Sequence, residues 1–524
     1  MTGRTWRAAC PSCGAPVDFQ SAASASAVCS YCRSTLVRDG EALRRIGQSA
    51  ELFDDHTPLQ LGAAGRYQGE PFTLLGRLQM AYEGGTWNEW HALFDNGRTG
   101  WLSEDNGAYV LAFDAPVPAD APQPGALRAG ERRAVGGQAW EVASVQRAKL
   151  LAAQGELPAP PPRAAEFTVA DLRSTRGEVA TLDDADPARL GWSVGRAVAL
   201  AELSMTGLSE ESEKTLRGRS FECPHCGAPL TARLASTQSM VCGQCKAVVD
   251  LSAGVGADLA HYTQAQGHLD GGQPQIPLGS TGTLALGGEA LPWQVVGYVE
   301  RAELPEEAED EQTFWREYLL YHRSAGFAFL VDADDGWSWA RPITGVPERV
   351  GEHVKQDGVQ YKPLYTYTGT VTYVLGEFYW RLQRDERTRN TDYRGLGAHA
   401  RKRLNREAAG SEVTWSAGEA LEAATVARAF RLPDDRLSAL QRDTLPLGGG
   451  SGAGLLKPLL IFGLLVVIIV VLTQCGGDDC DELRSTFGAG SNEYRQCLQS
   501  GGGGTGMRTG GGAFGGFSTG GGHK

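Results

Sequence analysis

The chain is poor in the features that would name a reaction. Its nine histidines are scattered, and no Ser, Cys or Asp pattern accompanies His91 or His322 to build a triad. There is no Walker loop and no dinucleotide fingerprint, and the C-terminal glycines do not open a helix that could cradle a phosphate. Positive charge is scarce too. The 49 Lys and Arg against 62 Asp and Glu give a formal net charge of −13. That argues against broad nucleic-acid binding, which needs basic surface to neutralise phosphates. The mildly basic first segment (Arg4, Arg7, Arg33, Arg38, Arg44, Arg45) leaves a local contact open. Met1–Cys10 is polar, so no secretory signal peptide is expected.

What the chain does have is a cysteine quartet that occurs twice. Cys10-Pro11-Ser12-Cys13 is followed after fifteen residues by Cys29-Ser30-Tyr31-Cys32, and Cys223-Pro224-His225-Cys226, again after fifteen, by Cys242-Gly243-Gln244-Cys245. A Cys-x-x-Cys turn presents two thiolates to one side of an ion, and a second such turn completes a tetrahedron. The spacing suits a four-cysteine zinc site, so the expected cofactors are two structural zinc ions. Their ligands are Cys10, Cys13, Cys29 and Cys32 in the first ribbon and Cys223, Cys226, Cys242 and Cys245 in the second. Four protein ligands leave no open position for water, which makes these sites staples rather than reaction centres.

The second domain of each repeating unit reads as strand. Phe72–Tyr82, Trp87–Asp95, Thr99–Glu104 and Ala108–Phe113 are rich in aromatic and aliphatic residues, with Asn96-Gly97 and Asn106-Gly107 as hairpin turns between them. Leu61-Gly62 matches Leu278-Gly279, and Trp87-Asn88-Glu89-Trp90 matches Trp315-Arg316-Glu317-Tyr318. The quartets are offset by 213 residues and the Leu-Gly marks by 217, so a ribbon followed by a β-rich domain is the unit that was duplicated. Helical patches are expected over Ala398–Ala409 and Gly418–Phe430, and Glu303–Glu311 forms an acidic insertion. The expected fold class is therefore multidomain, mainly β (α+β). Its parts are a zinc ribbon (1–46), a divergent β-rich domain (57–210), a second ribbon (219–252), a second β-rich domain (274–440), a flexible linker (445–454), a transmembrane helix (455–474) and a tail (475–524).

The membrane expectation rests on Leu455–Thr473, whose length approaches the roughly 20 apolar residues of one crossing. It makes the lipid bilayer a partner through 455–474. A small positive-inside difference and the ribbons' need for reduced thiols place the N-terminal bulk in the cytoplasm of a single-pass inner-membrane protein. The tail begins acidic and ends glycine-rich, a composition expected to be disordered. Cys480 and Cys497 could close a disulfide there or remain free thiols.

Leu278-Gly279, Trp315-x-Glu317-Tyr318, Gly376-Glu377-Phe378-Tyr379-Trp380, Asp392-Tyr393 and Trp415-Ser416-x-Gly418-Glu419 together resemble a bacterial family known as domain-of-unknown-function family 4178. The first copy carries the Trp-x-Glu-Trp mark and a faint Gly177-Glu178 echo, with Gly191-Trp192-Ser193-Val194-Gly195 standing for Trp415-Ser416. The resemblance supplies no activity. It implies partners in polyamine-linked membrane systems.

Three carboxylates stand out as candidate ligand-binding groups: Glu89 and Glu317, in matching places, and Glu377 beside Phe378 and Trp380. On a strand Trp87 and Glu89 share a face, an arrangement suited to a small cationic ligand. The bland alternative is a surface glutamate beside a rim tryptophan. The leading expectation for function is a non-enzymatic, membrane-anchored zinc-ribbon scaffold or adaptor that binds an unidentified protein partner or a small cation. The alternatives are an enzyme with a carboxylate site at Glu317 or Glu377, and a nucleic-acid-binding ribbon protein.

Overall fold

The computed structural model describes residues 6–20, 24–39, 42–49, 57–83, 85–105, 108–162, 165–209, 219–234, 237–251, 259–305, 312–322, 325–383 and 385–441. Ribbon 1 consists of β1 (Trp6–Ala9), β2 (Pro16–Phe19), β3 (Ser26–Val28), β4 (Ser34–Asp39) and β5 (Ala42–Gln48). Barrel 1 follows, with β6 (Ala64–Tyr67), β7 (Glu70–Tyr82), β8 (Gly85–Phe94), β9 (Thr99–Asp105), β10 (Ala108–Asp114), β11 (Arg132–Val135), β12 (Gln138–Leu157), β13 (Phe167–Arg173), β14 (Glu178–Asp186) and β15 (Arg189–Val198). Ribbon 2 has β16 (Arg219–Glu222), β17 (Pro229–Ala232), β18 (Ser239–Val241), β19 (Val248–Asp250) and β20 (His261–Tyr262). Barrel 2 has β21 (Thr281–Ala285), β22 (Ala290–Glu303), β23 (Phe314–His322), β24 (Gly326–Ala333), β25 (Gly336–Ile343), β26 (Glu348–Val350), β27 (His353–Gln356), β28 (Val359–Phe378), β29 (Arg387–Gly395), β30 (Lys402–Ala409) and β31 (Glu412–Leu421). Two short helices, α1 (Ala423–Ala429) and α2 (Asp434–Leu440), come last. Both ribbons and both barrels lie within one compact unit.

Each β-rich domain closes on itself. Neighbours in barrel 1 run β7-β8-β9-β10-β15-β14-β13-β12 and return to β7. Barrel 2 repeats the order as β22-β23-β24-β25-β31-β30-β29-β28 and returns to β22. All these pairings are antiparallel, and closure leaves no barrel edge exposed. The seams in both barrels need glycine. Gly76 pairs with Gly155 and Gly297 with Gly376. Gly155 and Gly376 have φ of +71° and +93°, and a Cβ on either would lie 2.2 Å from a backbone carbonyl oxygen of the facing strand.

The twenty-residue strands β12 and β28 do more than close the barrels. Gly155-Glu156-Leu157 pairs with Val28-Ala27-Ser26 of ribbon 1, and Glu377-Phe378 pairs with Met240-Ser239 of ribbon 2. Each ribbon thus extends the sheet of the barrel that follows it. The barrels meet where Ser144 of β12 pairs with Glu412 of β31, and the Trp415 indole N–H donates to Glu141 at 3.1 Å.

One expectation is corrected. Among the described residues the α+β class gives way to an almost entirely β architecture. Lys402–Ala409 and Glu412–Leu421 are barrel strands, and only Ala423–Ala429 of the second expected patch is helical. The sequence KRLNREAA of β30 is rich in helix formers, but that preference is worth only tenths of a kcal/mol per residue. Eight pairings to β31, six to β29 and the core outweigh it: Leu404 and Asn405 are fully buried on opposite faces. The expected transmembrane helix is not among the described elements. No helix among the described residues is long and apolar enough to cross a membrane. The segment 455–474 lies outside the described residues, as do Glu306–Glu311, the linker 445–454 and the tail 475–524 with Cys480 and Cys497.

Candidate functional sites: two cysteine sets and a barrel lumen

The cysteine sets are built alike. In ribbon 1, Gly14 N–H donates to the Cys10 carbonyl and Arg33 N–H to the Cys29 carbonyl, both at 2.8 Å. In ribbon 2, Gly227 and Lys246 make the same turns onto Cys223 and Cys242 at 2.8 and 2.9 Å. These tight knuckles converge the thiols. Cys10–Cys32, Cys13–Cys29, Cys223–Cys245 and Cys226–Cys242 have Sγ–Sγ distances of 3.7 Å, and all four sulfurs of each set lie within 4.8 Å of one another. A tetrahedron with metal–sulfur bonds of ~2.3 Å has edges of ~3.8 Å, so both sets have the shape and the soft donors for a metal ion.

Glu377 belongs to the seam between ribbon 2 and barrel 2. Its Oε2 accepts from the backbone N–H of Arg233 (2.8 Å) and Leu234 (3.0 Å) and from the Thr237 hydroxyl (2.8 Å). Charge-assisted bonds of this kind are stronger than neutral ones. The strand register shows its true counterpart in the first copy to be Glu156, next to Gly155; Gly177-Glu178 lies elsewhere, at the start of β14. Glu156 Oε1 accepts from Gln20 N–H at 2.7 Å. Gln20 and Arg233 each stand seven residues after the second cysteine of their quartet. The same glutamate therefore ties the same ribbon loop to the same strand in both copies.

The other two carboxylates face the barrel lumens. The motif makes one local bond in both copies: the indole N–H of Trp87 donates to Glu89 at 3.0 Å, and that of Trp315 to Glu317 at 2.8 Å. Beyond it the copies diverge. Glu317 is 1% exposed and forms an ion pair with Arg301, Nε to Oε2 3.1 Å, Arg301 itself being 1% exposed. Arg301 Nη1 also lies 3.8 Å from Glu407 and donates to Thr388 at 3.5 Å. Burial works against charge on Arg301, but Glu317 and Glu407 outweigh it and hold its pKa above the ordinary value. Burial raises Glu317, with Arg301 and the Trp315 indole pulling it back. Glu407 is pushed well up by burial and by Glu317. Asn390, Asn405 and Asp392, each fully buried, continue the polar filling, with Asn405 donating to Asp392 at 2.8 Å.

Barrel 1 has Met80 where barrel 2 has Arg301. Met80 pairs with Trp87 and Arg301 with Trp315, the equivalent tryptophans. The register likewise equates Glu89 with Glu317, Phe167 with Thr388, Asp171 with Asp392 and Asp183 with Glu407. It also sets Gly191-Trp192-Ser193-Val194-Gly195 against Thr414-Trp415-Ser416-Ala417-Gly418, as the sequence suggests. Without the guanidinium a cavity of about 170 Å³ is present, lined by Met80, Trp87, Glu89, Trp101, Phe167, Asp171 and Asp183 among others, and no described lining residue is Lys or Arg. Glu89 accepts from the Ser103 hydroxyl as well as from Trp87. Asp171 accepts from Thr181 at 2.8 Å and from Ser144 at 3.4 Å. These donors orient the two carboxylates. Gly191 makes room for Asp183, whose Oδ2 would lie 2.2 Å from a Cβ there.

Sequence reading singled out Glu89 and missed Asp171 and Asp183. Their signal was the alternation of Phe167, Val169 and Asp171, and of Thr181 and Asp183, which marks one face of a strand. A family model described as a domain of unknown function, DUF4178, matches residues 60–200 and 279–423, together more than half of the chain. Comparison with curated proteins and with solved structures gave no match.

Proposed function

The chain belongs to the DUF4178 family through two copies of its domain, and we propose that it is a non-enzymatic, metal-stapled binding protein whose first barrel takes up a small cation. Zinc is the ion assigned to both four-cysteine sets, because four thiolates in a tetrahedron suit it and close the site to substrate. A reducing compartment suits such thiolates. The observation that carries the binding role is the lumen of barrel 1, where Glu89, Asp171 and Asp183 line a cavity walled by Trp87, Trp101 and Phe167. Carboxylates supply charge and aromatic faces supply cation–π attraction. A cavity with a few convergent polar groups on an apolar wall is the usual form of a ligand site.

The enzymatic alternative has less support, since Glu317 is engaged by Arg301 and Glu377 by ribbon backbone. A protein-partner role would use the ribbon tips, where Tyr31, between two metal ligands, is 74% exposed. Calorimetric titration of the metal-loaded full chain with small organic cations, and with neutral and anionic compounds of equal size, tests the main reading. The expected result is one saturable site for cations only, lost in Glu89→Gln. Equal heats from neutral compounds, or none from cations, would count against it.

A further inference from the structure

The outer face of barrel 2 carries charge where barrel 1 carries core. Asp171 and Asp392 are equivalent, and the next residues, Leu172 and Tyr393, point outward by strand alternation. Asp183 and Glu407 are equivalent, and the residues before them are Leu182 and Arg406. The pairings agree, with Leu182 opposite Trp192 and Arg406 opposite Trp415. Leu172 and Leu182 are fully buried in the apolar cluster of their barrel, whereas Tyr393 and Arg406 are only partly covered. From this exchange we infer that the junction of the two barrels is a site for a small organic phosphate monoester, built by Arg349, Tyr393 and Arg406 of barrel 2 with Arg132 of barrel 1.

Three elements converge there. Arg349 of β26 shares a face with its pairing partner Val354, which packs in one cluster with Tyr361, Tyr393 and Trp415. The adjacent Glu348 points the other way. The Tyr393 and Trp415 rings are 5.5 Å apart. From barrel 1, Glu141 accepts the Trp415 indole N–H and pairs with Arg132 at 3.0 Å. Arg132 Nη2 in turn reaches the Pro347 carbonyl, just before β26, at 3.5 Å. Gly130, with φ of +79°, makes room for Arg406, whose Nη2 would lie 2.5 Å from a Cβ there. Burial raises the Tyr393 phenol; Arg406, Arg349 and Arg132 pull it back, and Glu141 acts with burial.

The charge at this junction is not balanced. Of the charged groups that act on the phenol, three are guanidiniums and one is a carboxylate, and that carboxylate is taken by Arg132. Arg349 and Arg406 make no hydrogen bond or ion pair with a described residue, and Arg406 Nε is buried without a partner. A buried donor left unpaired costs its full desolvation, so a ligand that accepts there recovers it. A phosphate monoester carries about −1.5 to −2 at neutral pH and presents three acceptor oxygens. Guanidinium forks match it bidentately, and the Tyr393 hydroxyl adds a neutral donor. A singly charged carboxylate or sulfate ester would balance only half of the surplus.

The test is calorimetric titration of the metal-loaded full chain at about pH 7.5, where the monoester is mostly dianionic. The probes are phenyl phosphate, phenyl sulfate and phenylurea. Phenyl phosphate should bind at one site at least about tenfold tighter than phenyl sulfate, a difference of about 1.4 kcal/mol, with no binding of phenylurea. Arg406→Leu, which installs the residue of the first copy, and Arg349→Gln should each weaken it at least about tenfold. Tyr393→Phe should weaken it less. Arg189→Gln, an exposed arginine of barrel 1, should leave it unchanged. Should Arg406→Leu not fold, the exposed Arg349→Gln carries the test. Phenyl sulfate binding as tightly as phenyl phosphate overturns the ligand class. No binding of phenyl phosphate, binding that ignores Arg406→Leu and Arg349→Gln, or an equal loss in Arg189→Gln overturns the site.

Discussion

The two barrels share a frame and differ in what fills it. Strand order, the paired glycines at the seam, the tryptophan-to-glutamate bond and the glutamate that ties down the ribbon are the same in both. The interior is not. Barrel 2 packs its lumen with Arg301, Glu317, Asn390, Asn405 and Asp392, all nearly or fully buried. Barrel 1 leaves a cavity at the same level. Backbone closure is thus set by glycines and pairing, and the lumen is free to be either core or site. A buried ion pair adds little net stability because desolvation offsets its Coulomb gain.

The largest expected effect breaks a likeness. Chelation should remove two zinc ions per chain and unfold both ribbons, since binding free energies of structural zinc reach ~10 kcal/mol or more and are folding energy. Elemental analysis should give two ions for the native chain and one each for Cys29→Ser and Cys242→Ser. A single ion in the native chain would end the equivalence of the ribbons. The next effect sharpens the difference between the barrels. Arg301→Ala strands Glu317 and Glu407 in the core and should cost about 3–5 kcal/mol, whereas Met80→Ala at the cavity wall should cost about 2 kcal/mol. Denaturant unfolding compares them, and equal losses would mean the two lumens are not distinct.

A smaller loss is expected at the ribbon seam. Glu377→Gln keeps the shape and removes the charge, weakening three bonds for about 1–3 kcal/mol. Faster hydrogen exchange at Arg233 and Leu234 would report it, and unchanged exchange would mean that strand pairing alone holds the ribbon. The smallest effect separates the two copies of the shared motif. Trp87→Phe should cost about 1 kcal/mol, because Glu89 is half-buried and keeps Ser103, while Trp315→Phe deprives the fully buried Glu317 of a donor and should cost more. The reverse order would contradict the lumens as described.

Local features were legible in the sequence, and closure was not. The cysteine spacing gave both ligand sets because a knuckle is a few residues long. Strands β7 to β10 could be read from their aromatic content and Asn-Gly turns, because consecutive strands pair. The seams β7–β12 and β10–β15 join segments far apart in the chain, and no local pattern announces them. For the same reason Glu156 was passed over for Glu178: the register that makes Glu156 equivalent to Glu377 exists only once β12 has met β3. Glu89 and Glu317 look alike in sequence because what distinguishes them, Met80 against Arg301, sits on the neighbouring strand. β30 looked helical because its inward residues, Arg403, Asn405 and Glu407, are polar, which hides the alternation of a half-buried strand.

The addition of each ribbon to the long strand of its barrel has a consequence during synthesis. Ribbon 1 has its full ligand set once Cys32 is made, yet its docking partner β12 begins only at Gln138. At ~5–20 residues per second the intervening chain takes roughly 5–20 s to appear. For that interval the pairing edge of Ser26–Val28 has no native neighbour and is open to other strands. Early capture of the metal would keep the finger folded while it waits, and the second unit repeats the same delay between Cys245 and β28.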